Sequence, residues 1–306
     1  MKRAVAIARN PRSWGIALAL VALALVCGAV AGWLADRSTS PVIRLDRARD
    51  LAFAHRPEAA LREARRALAE LADNGDAALR LEALSRAAQI TDFQLSDAHI
   101  QEALAFYKRI EAEFPGTQQA FDAGVRISEI LRQRLHDELH AELQLVAVVS
   151  AFPKQLGVEK YLVRAARIAI DNRRFDEAKT YATRVVLEYP ESDQDPEAQF
   201  LIGESLHLVG RHPEAVKAYE VVSFRWPRTE LAARALFEAG NCLAEDGDLT
   251  HAIARYLECL PDHPDPMSVQ RNLERVRKRF TAMRLSAVPI TKEAAFDYRR
   301  FSHGER

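Results

Sequence analysis

Cysteine is almost missing from this chain: three in 306 residues, with Cys27 inside an apolar run near the start. Three thiols cannot make a disulfide framework. Excess charge of one sign is missing too, since 43 Lys plus Arg balance 43 Asp plus Glu. That balance gives no bulk attraction for nucleic acid or for a strongly acidic partner, so any electrostatic recognition must be local. Glycine and proline are scarce, at 12 and 13, and stand at intervals. No glycine loop has phosphate-binding spacing, and no cysteine pair has zinc-finger spacing. What is abundant is Ala, Leu, Arg and Glu, all good helix formers, and an apolar fraction of 48% is ample for a core. The composition points to an all-α protein.

The helices recur in step. An aromatic residue or His precedes Pro at Phe114-Pro115, Phe152-Pro153, Tyr189-Pro190, Trp226-Pro227 and His263-Pro264, at spacings of 38, 37, 37 and 37 residues. Twelve residues before these prolines stand Ala103, Ala141, Ala178, Ala215 and Ala252. Two units add Gly203 with Gly210 and Gly240 with Gly247, and place Tyr219 and Tyr256 alike. Gly203, Gly240 and the alanines suit close helix approach; Gly210 and Gly247 suit a left-handed turn; each proline stops the second helix because it has no amide hydrogen to donate. Thr117, Ser192 and Thr229 follow their prolines by two and suit N-caps or turns. Cys242 and Cys259 fall at packing positions and read as core thiols, a bridge between them being the alternative.

These residues resemble the tetratricopeptide repeat. The unit here is three residues longer than the usual one, and its aromatic-Pro-x-Ser/Thr ending is similar to the subclass in bacterial envelope proteins such as the outer-membrane assembly lipoprotein and the TolA-binding protein. The resemblance is carried by residues 157 to 264 and extends through 96 to 156. It implies a right-handed superhelical solenoid of helical hairpins, with residues 93–264 as repeats, 41–92 as divergent hairpins, 265–285 as a capping helix and 286–306 as a basic, aromatic tail. Leu273, Val276, Phe280 and Met283 give the capping helix one apolar face. The tail from Arg271 carries ten basic against four acidic residues, and either docks on an acidic partner or packs on its own last hairpin.

Trp14 to Leu34 holds 21 residues without a charge, a helix of about 31 Å that matches a bilayer core. Segment 14–34 therefore reads as a transmembrane helix, joined by a linker at 35–40 to the repeats. The basic tail 1–13 stays cytoplasmic and the repeats are periplasmic, in a single-pass bacterial inner-membrane protein. A cleaved signal peptide ending at Ala29-Val30-Ala31, or a lipoprotein signal at Cys27, are the alternatives.

No constellation of catalytic groups is recognisable, so no catalytic, cofactor-binding or metal-ligating residue is assigned, and no enzyme activity or small-molecule substrate is expected. His136 and His140 lie one helical turn apart but lack the H-E-x-x-H order and a third ligand. Gly203-Glu204-Ser205-Leu206-His207 lacks the second glycine of a nucleophile elbow. The resemblance places partner binding on the first helix of each hairpin, at Lys160, Arg164, Arg167, Glu204, His207, Arg234 and Asn241. Relatives that clamp a terminal carboxylate use Lys, Arg and Asn at such positions, whereas Phe200 and Phe237 stand here where that clamp is polar. The expected function is a membrane-anchored scaffold or adaptor holding another envelope protein in assembly, secretion or folding. An enzyme or metal protein built on the hairpins is the reading from another class.

Overall fold

The computed structural model describes residues 41–51 and 58–287, and among them it holds thirteen α-helices and no strand. The chain divides between Ala123 and Gly124 into two compact units. In the first lie α1 (Pro41–Leu51), α2 (Glu58–Asn74), α3 (Ala77–Phe93) and α4 (Ile100–Glu113), each packed on the next. Helix α5 (Gln118–Gln133) carries the division. The second unit holds α6 (Glu138–Ala151), α7 (Glu159–Asp171), α8 (Phe175–Glu188), α9 (Asp195–Leu208), α10 (His212–Arg225), α11 (Glu230–Glu245), α12 (Leu249–Cys259) and α13 (Pro266–Ala287).

Within the first unit, α2 buries Leu61, Ala64, Leu68, Leu71 and Ala72, residues three and four apart that make one apolar stripe. Asp76 caps α3 by accepting from the Leu79 amide at 2.9 Å. The Tyr107 hydroxyl donates to the buried Asp92 carboxylate at 3.2 Å, joining α3 to α4.

In the second unit the small residues lie where helices touch. Ala141, Ala178, Ala215 and Ala252 are fully buried, as are Tyr219 and Tyr256. The Tyr rings press against glycine: a methyl group on Gly203 would come within 2.7 Å of Tyr219 ring carbons, and one on Gly240 within 2.7 Å of Tyr256. The Tyr256 hydroxyl donates to Asn241 Oδ1 at 2.7 Å, so its one polar atom is satisfied. Cys242 and Cys259 are free thiols in separate core clusters, which removes the bridge between them. Burial pushes their pKa up to about 12 and about 11 respectively.

Helix ends follow the prolines in four of five places. Phe114, Phe152, Tyr189 and Trp226 close α4, α6, α8 and α10 in one conformation, with φ of −129°, −128°, −131° and −127°. A following proline ring forces its predecessor out of the α region, which is the cause. The fifth differs: α12 stops at Cys259, short of His263-Pro264, because Pro261 intervenes. Thr117 and Thr229 cap α5 and α11 by accepting from the Ala120 and Ala232 amides at 3.2 and 3.1 Å. Ser192 does not cap, since α9 begins three residues later at Asp195.

Helix α13 lays Val269, Leu273 and Val276 into the cluster that holds Leu249, Ala252 and Tyr256, with Phe280 packed on its edge. Met283 is 56% exposed, so the apolar face ends one turn earlier than its spacing suggests.

The transmembrane helix and the inner-membrane localisation require correction. Among the described residues no helix is long and apolar enough to cross a membrane. The longest, α13, carries six basic residues and one acidic one, a charge density a bilayer interior does not solvate. Segment 14–34, with Cys27 and the linker at 35–40, lies outside the described residues, as do the basic tail 1–13 and the tail from residue 288.

Candidate partner-binding face

Helix α7 touches α9, and α9 touches α11, so the first helices of three successive hairpins form a row. The 3.6-residue period puts the following side chains on one side of each helix. On α7 these are Lys160, Arg164 and Arg167; on α9 Glu197, Glu204 and His207; on α11 Arg234, Glu238, Asn241 and Glu245.

The side chains on this face are tied across hairpins. Arg164 Nη1 lies 3.3 Å from Glu129 Oε1 on α5, and Arg126 holds the same carboxylate at 2.9 Å. Arg167 pairs with Glu197 on α9 and is half exposed. Glu204 sits among Arg167, Glu197, Glu238 and Arg234; burial raises its pKa, the two arginines oppose the rise, and the two carboxylates add to it. The Arg234 guanidinium lies 5.2 Å above the Phe200 ring. Asn241 Nδ2 donates to Glu238 Oε2 at 3.0 Å, while its Oδ1 accepts from Tyr256 and from Asn272 Nδ2. His207 Nε2 lies 3.1 Å from Glu245 Oε2. Lys160 is set apart, its ammonium over the Tyr161 ring at 5.0 Å.

Residues 163–228 match the family model described as tetratricopeptide repeat. The hairpins are tetratricopeptide-like. Among solved structures, the apo form of RapI is similar at 12% identity, with a TM-score of 0.51, over 81% of this chain and 74% of that one. At that identity the likeness is one of fold. YrrB, a tetratricopeptide protein with an unusual peptide-binding site, is 17% identical over 62% of this chain and 89% of its own, with a TM-score of 0.45. MamA of Desulfovibrio magneticus RS-1 is 15% identical over 64% and 97%, with a TM-score of 0.42. Comparison with curated proteins returns no match.

The tetratricopeptide-like frame explains which groups sequence reasoning passed over. Glu197 and Glu238 stand seven residues before Glu204 and Glu245, on the same helix faces, so the helical period was signal enough to find them. His136 and His140 belong to no cluster of three candidate metal ligands among the described residues. His136 takes a left-handed backbone with φ of 53°, and His140 Nδ1 lies 2.8 Å from Asp137, whose carboxylate also caps α6. That bonding holds the Asp137 carboxyl below its ordinary range.

A second charged cluster lies away from this face. Glu142 on α6 is fully buried, yet Arg174 pairs with it and the Tyr181 hydroxyl donates to it at 3.0 Å. Burial raises the Glu142 pKa, and burial beside that carboxylate pushes Tyr181 up to about 12. Asp195 is buried likewise, with Arg225 at 2.8 Å. The Arg174–Glu142 pair joins one hairpin to the next, while the Arg225–Asp195 pair ties the two helices of a single hairpin.

Proposed function

We propose that this chain is a non-catalytic, protein-binding scaffold, and that the face built from α7, α9 and α11 takes an extended or helical segment of a partner protein. The observation that carries the reading is the alternation of Arg167, Glu204 and Arg234 along three successive first helices, with carboxylates and an amide between them. Such a face offers donors and acceptors at intervals of one hairpin, which suits a peptide of mixed charge and gives specificity through register. Burial on the supporting side keeps the helices fixed, so a partner meets a pre-organised surface. Lys160, Arg164, His207 and Asn241 flank the row and complete it.

A photo-cross-linking residue at position 164, in cells that make the protein, tests the reading against the same residue at position 224. Phe224 is 85% exposed on a second helix and serves as the control position. One discrete partner adduct from position 164, weakened by the R167E/R234E double substitution, supports the proposal. An adduct that forms equally from position 224, or ignores the charge reversal, overturns it.

A further inference from the structure

We propose that His207, His212 and Glu245 bind a divalent first-row transition-metal ion, which staples two successive hairpins together. The three side chains come from the end of α9, the first residue of α10 and the last residue of α11. Their ligand atoms lie within 4.8 Å of one another. His207 Nε2 and His212 Nε2 approach the same oxygen, Glu245 Oε2, at 3.1 and 3.2 Å. Ligand atoms bound at about 2.0–2.2 Å to one ion lie about 3.0–3.4 Å apart along a coordination edge, so both separations are already those of a shared cation. The rings meet nearly edge to face, at 77° with centroids 5.5 Å apart, which keeps both nitrogens pointed inward without stacking the imidazoles.

Proton accounting gives a second, independent argument. A neutral imidazole has a single N–H. His212 Nδ1 lies 2.6 Å from Asp246 Oδ1, and a carboxylate accepts only, so that nitrogen is the donor. The lone pair of Nε2 then faces the lone pairs of Glu245 Oε2. A positive charge must lie between them, either a second proton on the ring or a bound cation. Asp246 meanwhile stands where outer partners of metal-bound histidines stand, fixing the tautomer that leaves Nε2 free to ligate. Glu238 Oε2 lies 3.9 Å from His207 Nδ1, beyond hydrogen-bond reach, and contributes only its negative charge. With Glu238, Glu245 and Asp246 around two imidazoles the local charge is negative, which favours a dication.

Two imidazole nitrogens and one carboxylate oxygen select zinc, nickel, cobalt, copper or iron over magnesium and calcium. Both His side chains are less than one-fifth exposed, while Glu245 is 53% exposed. Further positions on the ion therefore open toward solvent on the Glu245 side. The sequence conceals the set, because His207 and His212 straddle the hairpin turn at Gly210 and Glu245 comes one repeat later.

Zinc titration of the chelator-stripped full chain, followed by calorimetry and thermal unfolding, decides the matter. The expected result is saturable binding of one ion per chain, with an unfolding midpoint raised by several degrees and restored by chelator. H207Q and H212Q abolish this, while H140Q/H251Q, which removes two exposed Asp-His pairs, leaves it unchanged. E245Q keeps the falsification open should either His variant fail to fold: its glutamine lies on an exposed side chain, and it weakens zinc binding at least tenfold. Absence of saturable binding, zinc binding that survives H212Q or E245Q undiminished, or stabilisation by protonation with no response to zinc overturns the proposal.

Discussion

Two of the repeats turn on a single close contact, a tyrosine ring pressed on the backbone of a helix at a glycine. Gly240 has no side chain because Tyr256 occupies the place where a Cβ would go, 2.7 Å from the Tyr256 Cε1 atom. Tyr256 cannot give way easily, since its ring is fully buried and its hydroxyl is held by Asn241. Helix propensity alone favours alanine over glycine by about 1 kcal/mol. Packing reverses that preference here. Gly240→Ala is expected to destabilise the protein by about 1–3 kcal/mol, the usual range for forcing a methyl into a filled core. Denaturant unfolding of G240A beside wild type checks this, and an unchanged or raised midpoint would show that the ring moves aside freely.

Helices in this protein end by rules that recur with the repeat, but different residues carry out the same backbone task. His136, Arg173, Gly210 and Gly247 are spaced 37 residues apart, and all have positive φ, at 53°, 58°, 76° and 87°. Gly210 and Gly247 were readable as left-handed turns from the sequence, whereas His136 and Arg173 were not, because their residue types give no hint of that conformation. A side chain in the left-handed region costs about 1–2 kcal/mol, and glycine removes that cost while adding up to about 1 kcal/mol of unfolded-chain entropy. Arg173→Gly is therefore expected to stabilise by about 0.5–1 kcal/mol, read as a higher thermal midpoint; a lower one would mean that the exposed Arg173 side chain holds something its backbone strain does not reveal. The same limit on legibility applies to the candidate sites. Arg167, Glu204 and Arg234 could be placed on one face by helical period. Which side chains pair across helices could not be read, because pairs such as Arg167 with Glu197, Arg255 with Glu220 and His207 with Glu245 join residues 30 to 38 apart. Pro261 escaped for a different reason: a helix is stopped by the first proline it meets, and the repeat register pointed to the second.

Stacked hairpins touch their neighbours in sequence, so a local loss should stay local. In the second unit each helix packs on the next and first helices meet first helices, while α13 packs against α12 at the end of the stack. Leu273 of α13 is 5% exposed and sits in a cluster with Tyr256, Leu249 and Cys259. Leu273→Ala removes contacts worth about 2–5 kcal/mol, counting the cavity left behind. In a globular core that cost would lower the stability of every element together. In a linear array it is expected to fall on α11 to α13, with amide hydrogen exchange speeding there and protection in α6 to α8 retained. Uniform loss of protection from α6 to α13 would show that the unit folds as one cooperative body, and that the recurring residues specify its geometry without dividing its stability.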